Sequence, residues 1–205
     1  MPYNIFVLGL DELGATELAT LPDAQDYVFH PLMTIEELQG GTIDIQALLT
    51  QAQQQLDAFE GAIDGIVGFW DFPISMMLPI LCERYGLPAK PLLGTVKCEH
   101  KYWSRLEQQR LIDEYPKFGL VDIDDPAATL PEHMSYPAWA KPIKSFSSEG
   151  AYQVNSDAEL QAVLAKRRET PERVGPAFES VLAMLDLPEK IADIPGGAYN
   201  DSRHH

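Results

Sequence analysis

Residues 136–160 read YPAWAKPIKSFSSEGAYQVNSDAEL, and this stretch decides the fold of the second half of the chain. It predicts a strand over 136–143, a loop of small residues over 144–150 and a second strand over 151–154. A helix is predicted over 155–168, because Ser156 and Glu159 form a capped start ahead of a face rich in alanine and leucine. Together these elements predict a small α+β unit.

The same stretch carries groups that suit a nucleoside triphosphate. Lys141, at the end of the first strand, can place a point charge on a phosphate. The loop adds hydroxyl and backbone N–H groups that can fold over phosphate oxygens, and they come from Ser145, Ser147, Ser148 and Gly150. A loop that closes over phosphates would exclude water during phosphoryl transfer. The simpler interpretation of Lys141 is a solvated lysine at a strand end.

The N-terminal part of the chain alternates strand and helix signals. Short apolar runs predict strands over 4–10, 27–32 and 64–69. Helices are predicted over 34–38, 44–59 and 73–85, and a helix or turn over 11–21. Residues 91–96 are expected to form a further strand or extended segment. This alternation favours an α/β fold with a parallel sheet, whose ligands bind beyond the carboxyl ends of the strands.

Candidate substrate-binding residues follow two of these strands. They are Gly9, Asp11, Trp70 and Asp71. Gly9 and Gly14 do not form the GxGxxG pattern of a dinucleotide site. The alternative is a glycine turn that packs strand against helix, with Trp70 as an edge aromatic.

The polar segment 97–115 is predicted to form one helix. His100 has no partner that the sequence indicates and is expected on the surface, and Lys101 taken by itself belongs to a solvated helix face. A further helix is expected over 170–187 and a turn over 194–199. Cys82, on an apolar helix, is expected to be a packed thiol.

The order strand–Lys–Pro, Ser/Gly loop, G-x-Y-x-V and S-D-A-E-L over 136–160 resembles the first subdomain of the ATP-grasp superfamily of ligases. That superfamily includes biotin carboxylase, D-alanine–D-alanine ligase and carbamoyl-phosphate synthetase. Residues 99–103 resemble its acidic–x–Lys helix start. The resemblance implies that Lys101 and Lys141 contact ATP phosphates, with Lys141 also reaching adenine, and that residues 145–150 cover the phosphates. It also implies a Rossmann-like preATP-grasp domain over 1–96, then a linker helix and the first ATP-grasp subdomain over 97–205.

The reaction that the resemblance implies is phosphorylation of a small carboxylate by ATP, followed by attack of an amine or other nucleophile on the acyl phosphate. Lysine and Mg²⁺ neutralise charge in such a reaction. Two features depart from the family. The loop has one glycine and a bulky Phe146. The hinge strand and the Glu and Asn residues that hold Mg²⁺ would follow the end of this sequence. The chain is therefore expected to be an N-terminal portion, inactive by itself, with no metal ligands of its own and its catalytic residues unassigned.

Two other interpretations stay open. The chain could be a complete, non-catalytic module for nucleotide binding or protein interaction, and exposed apolar surface on its small lobe would favour a homodimer or a partner protein. It could also be a flavodoxin-like or Rossmann-like binder of small molecules. A nucleotide at the end of the first strand would support that third interpretation.

Composition excludes several classes of partner. The 205 residues include 15 basic and 31 acidic side chains, for a formal charge of -16. Such a chain repels nucleic acid and anionic lipid, so neither is an expected partner. The two cysteines have no metal-binding spacing, and no segment has the length of a membrane span. A cytoplasmic location is expected.

Overall fold

The computed structural model describes residues 2–145, 147–170 and 173–192. The chain divides into two compact units, Met1–Thr95 and Val96–His205. The predicted boundary after residue 96 lies beside this division. The assignment of the units as a preATP-grasp domain and a first ATP-grasp subdomain stays a prediction.

The first unit is built on a parallel sheet. Its strands are β1 (Tyr3–Leu8), β2 (Tyr27–Leu32) and β3 (Gly65–Val67), in the order β2-β1-β3. Both neighbours pair with β1 in parallel, which confirms the predicted parallel α/β arrangement. Because β1 is the central strand, its last three residues are buried, as expected for an apolar run covered on both faces.

Four helices connect and cover these strands. They are α1 (Glu12–Ala19), α2 (Ile35–Gln39), α3 (Ile45–Asp57) and α4 (Ile74–Arg84), and a short 3-10 turn, Ala24–Asp26, precedes β2. The Asp44 carboxylate caps α3 by accepting hydrogen bonds from two backbone N–H groups, each at 3.1 Å. The buried face of α3 has helical spacing and consists of Ile45, Leu48, Leu49, Ala52 and Leu56. Cys82 on α4 is buried, as predicted, and burial raises the pKa of its thiol.

The segment around residues 91–111 differs from the prediction in two ways. Residues 91–96 do not form a strand, because α5 spans Leu92–Glu99 and begins after Pro91, a residue that suits a helix start. The predicted helix 97–115 is interrupted at His100, and α6 spans Lys101–Leu111. The interruption has a clear cause. The Lys101 backbone N–H donates to the Ile143 carbonyl at 3.0 Å and so leaves the helical ladder.

The second unit contains a two-stranded antiparallel sheet, β4 (Ala138–Ala140) and β5 (Tyr152–Val154). β4 is shorter than predicted because Pro137 and Pro142 flank it and have no N–H to donate. Helix α7 (Asp157–Glu169) begins at its Ser156 cap, as the sequence indicated. A small core joins the sheet to α7 and consists of Ala128, Ala138, Val154, Leu160 and Leu164.

The helices after α7 are shorter than predicted. Helix α8 spans Gly175–Leu182, within the range 170–187 that was predicted as one helix, and α9 spans Glu189–Ala192 beyond that range. Pro176 explains the late start of α8, because proline is tolerated only in the first turn of a helix. The predicted turn at 194–199 lies outside the described residues. Among the residues that the structure describes, no helix has both the length and the apolarity needed to cross a bilayer.

Candidate functional site

The outer face of the β4–β5 sheet carries the predicted phosphate-binding lysine. Ala138 and Val154 pair with each other and turn inward to the core, whereas Trp139 pairs with Gln153 on the opposite face. Trp139 keeps 61% of its surface exposed. Lys141 is also exposed, and its Nζ lies 5.5 Å from the centroid of the Trp139 ring. A lysine therefore stands beside an open aromatic face, an arrangement that the sequence did not single out.

The side chain of Lys101, the first residue of α6, reaches the start of the Ser/Gly loop. Its Nζ donates to the Ser145 carbonyl at 2.8 Å and contacts the Ser145 hydroxyl at 3.0 Å. These two predicted site residues, which are 44 positions apart in the sequence, are therefore brought together. Lys101 is half-buried, so its ammonium group belongs to the loop and not to a solvated helix face.

The end of the loop has a left-handed backbone. Ser147, Ser148 and Gly150 have φ angles of 50°, 60° and 70°. Serine adopts this conformation at a cost, whereas glycine does so freely. A methyl group at Gly150 would lie 2.9 Å from Cγ of Pro142, so the two ends of the loop pack against each other. Ser147 and Ser148 are exposed, and Phe146 lies outside the described residues.

A buried ion pair that the sequence did not reveal anchors this loop. Lys144 is 3% exposed, and its Nζ lies 2.5 Å from a carboxylate oxygen of Glu99. The same ammonium group lies 5.8 Å from the centroid of the Phe178 ring. In sequence, Lys144 looks like one more polar residue of a loop, because nothing local indicates its partner 45 positions away.

His100 is buried, so the prediction of a surface histidine was wrong. It is 0% exposed and occupies the N-cap of α6, where its Nδ1 accepts from the Trp103 backbone N–H at 3.0 Å. A pair of charged side chains also links α5 to α6 across the interruption at His100. Lys97 lies 3.0 Å from Glu107, and this hydrogen bond lowers the pKa of the Glu107 carboxyl.

A cleft of about 1020 Å³ runs beside these groups. All seven residues from 137 to 143 line it, so it follows the edge of β4, and α6 and α7 contribute further walls. Among the described residues that line it, the charged side chains are Lys101, Arg105, Lys117, Lys141, Arg167 and Asp122. Five cations against one carboxylate make this cleft positive in a chain whose formal charge is -16. Such a cleft attracts anions.

The structure gives the candidate residues of the first unit local roles. The Trp70 indole N–H donates to the Gly9 carbonyl at 3.0 Å, which brings these two residues together. The Asp11 carboxylate accepts from the Gly14 N–H at 2.7 Å and caps α1. The Asp71 carboxylate accepts from the Phe72 N–H at 2.7 Å. These contacts are those of a packed glycine turn and a helix cap. Substrate binding by these residues stays a prediction.

The metal that the resemblance implies, Mg²⁺, would need a set of oxygen donors. Within residues 2–145, 147–170 and 173–192, no group of three or more His, Cys, Asp or Glu side chains is placed to hold a metal ion. The described part of this chain therefore does not assemble a donor set for Mg²⁺.

Comparison with known proteins adds one finding. No protein-family model and no curated protein matches the sequence. Among solved structures, the L-amino acid ligase from Bacillus licheniformis is similar in fold, with a TM-score of 0.58, 16% sequence identity and coverage of 81% of this chain. The chain spans 42% of the length of that ligase. The likeness supports an ATP-grasp-like fold and does not point to biotin carboxylase in particular.

Proposed function

We propose that this chain supplies the preceding α/β domain and the first nucleotide lobe of an ATP-dependent carboxylate ligase. The observation that carries the proposal is the contact between the Lys101 ammonium group and Ser145 at the start of the loop. The fold likeness to an L-amino acid ligase supports the same function. Neither support depends on the other, since one is a side-chain contact and the other concerns the path of the backbone.

Each group has a distinct task in this proposal. Lys141 binds a phosphate oxygen of ATP as a point charge. The exposed ring of Trp139, on the same face, packs against the adenine base. Lys101 and the loop over 145–150 hold the remaining phosphates, with serine hydroxyls and backbone N–H groups as donors.

The reaction belongs to the complete ligase. A carboxylate oxygen of the substrate attacks the γ-phosphorus of ATP, and ADP leaves with the electrons of the broken P–O bond. An amine then attacks the acyl phosphate, and inorganic phosphate leaves. The described residues bind and orient the nucleotide, and the chain alone is expected to be inactive.

The test is a titration of the ¹⁵N-labelled chain with ATP, followed by two-dimensional NMR. We expect chemical-shift changes concentrated at Lys101, at 139–141 and at 145–150. Changes confined to the turn at Gly9 and Trp70 would instead support the flavodoxin-like or Rossmann-like binder. If saturating ATP caused no change anywhere, the proposed nucleotide site would be wrong.

The mass of the native polypeptide separates the ligase from the non-catalytic module. The similar ligase is more than twice as long as the part that this chain covers, since the chain spans 42% of it. A native mass about twice that of these 205 residues supports the ligase. A mass equal to that of this chain supports a module that binds nucleotide, or a partner protein or second copy, without catalysis.

A further inference from the structure

The last turn of α7 carries three consecutive basic residues, and each has a different environment. Lys166 is exposed, and its Nζ lies 4.9 Å from the centroid of the Tyr152 ring. The Arg168 Nε donates to the Ile123 carbonyl at 2.6 Å and so ties α7 to the preceding loop. Arg167, between them, is half-buried and lines the positive cleft. The helix therefore directs one of its three terminal cations to the cleft.

Arg167 lies against the end of the Ser/Gly loop. A methyl group at Gly150 would lie 3.1 Å from Nη1 and 3.2 Å from Cζ of Arg167. The guanidinium group thus lies beside the last residue of the loop, whereas the Lys101 ammonium group contacts Ser145 at its beginning. The two ends of the loop therefore lie near two cations from two different helices. Sequence reasoning missed Arg167, because a basic residue in the last turn of a helix is ordinarily explained by the helix dipole.

We propose that Arg167 is a binding residue for the phosphate chain of the nucleotide that the loop covers. The guanidinium group presents donors in a planar fork that matches two oxygens of a phosphate. Gly150 lets the guanidinium group lie close to the backbone of the loop, since glycine has no side chain between the two. This inference rests on the proposed nucleotide-binding function and adds a ligand from a helix that the resemblance does not assign to the site.

A bracing role is the alternative explanation for the same contact. A guanidinium group that only supports the fold of the cleft would affect every ligand of the site to a similar degree. A group that binds phosphate affects ligands that carry a phosphate chain and leaves a nucleoside unaffected. ATP, inorganic tripolyphosphate and adenosine therefore separate the two roles.

The experiment compares Arg167→Ala, Arg167→Lys and Lys166→Ala with the unmodified chain in NMR titrations with these three probes. Lys166→Ala is the matched control, because it removes one positive charge from the same turn of α7. We expect Arg167→Ala to weaken ATP and tripolyphosphate binding about tenfold, as the loss of a charge-assisted hydrogen bond would. We expect Arg167→Lys to have an intermediate effect, adenosine binding to be unchanged and Lys166→Ala to change ATP binding less than about twofold.

Four results would overturn the inference. Unchanged ATP affinity in Arg167→Ala would remove Arg167 from the site while leaving the proposed function intact. Equal losses for adenosine and ATP would assign it to bracing, and equal losses in Arg167→Ala and Lys166→Ala would reduce it to distant charge. If the unmodified chain bound neither ATP nor tripolyphosphate, the proposed function would fail, and this inference with it.

Discussion

The glycine-containing turn after β1 and the glycine-containing loop after β4 differ in charge. The turn after β1 places Gly9 against Trp70, and the nearby carboxylates of Asp11 and Asp71 accept backbone N–H groups. The loop after β4 places Gly150 against Pro142 and Arg167.

The polar groups of the first turn bond within the turn and its helix cap, whereas the second loop lies among positively charged side chains. In the first turn, the carboxylates of Asp11 and Asp71 accept hydrogen bonds from backbone N–H groups, and both carry negative charge. In the second, Lys101 contacts the start of the loop, Arg167 lies beside its end, and both line a positive cleft. Two carboxylates would repel a phosphate or a carboxylate substrate, so the first turn suits an amino group better than an acid.

The largest effect is expected from breaking the ion pair that anchors the second loop. Glu99→Gln would remove the carboxylate charge that lies 2.5 Å from the buried Lys144 ammonium group. We expect the free energy of unfolding to fall by roughly 3 kcal/mol, the usual result of removing one partner of a buried pair. Urea denaturation followed by tryptophan fluorescence measures this. The double variant Glu99→Gln/Lys144→Met should recover most of the loss, and a cost below about 1 kcal/mol would mean that the pair is effectively solvated.

Loss of Lys141 should affect ligand binding and spare the fold. Because Lys141 is exposed, Lys141→Ala should change the free energy of unfolding by less than about 0.5 kcal/mol. ATP affinity should fall roughly tenfold, in this chain and in the complete enzyme, because a phosphate loses its charged partner. The control is Lys90→Ala, an exposed lysine of the first unit. Equal ATP affinity in both variants would argue that Lys141 is a solvated lysine at a strand end.

The sequence predicted those parts of the fold that depend on local patterns. The apolar runs predicted the parallel sheet, and the Ser156 cap predicted the start of α7. Both features depend on residues that are close together in the sequence. His100 and Lys144 were missed for the opposite reason. Their burial depends on contacts between residues 99–101 and 143–145, which no local pattern encodes.

Replacing glycine in each turn sharpens the comparison. Gly9 and Gly150 have φ angles of 68° and 70°, so alanine costs about 1 kcal/mol at either position through backbone strain. Gly150→Ala should cost somewhat more, because its methyl group would meet Cγ of Pro142 at 2.9 Å, whereas that of Gly9→Ala would meet Cδ1 of Trp70 at 3.1 Å. Gly41→Ala is the control, with φ 58° and no atom within 4 Å of its added methyl group.

The two variants should also differ in ATP binding. Gly150→Ala should weaken it, because the methyl group displaces Arg167 and the end of the loop, whereas Gly9→Ala should leave it unchanged. The measurements are urea denaturation and the ATP titration. A loss of ATP affinity in Gly9→Ala alone would move the nucleotide to the first turn and reverse the comparison.

The smallest effect is a pH dependence of the strand that carries Lys141. The Tyr136 hydroxyl donates to the Asp157 carboxylate at 2.6 Å and joins the start of β4 to the start of α7. Burial, together with this hydrogen bond, raises the pKa of Tyr136 to about 12. In the unfolded chain the phenol ionises near pH 10, so between these values the unfolded state has fewer bound protons. Stability from this group is therefore complete below about pH 10 and declines as the pH rises toward 12.

Tyr136→Phe has no phenol to ionise, so the free energy of unfolding of the unmodified chain should fall relative to that of the variant across this range. Parallel curves for the two proteins would mean that the hydroxyl is as solvated when folded as when unfolded. In that case the second loop would depend on Glu99 and Lys144 for its anchor.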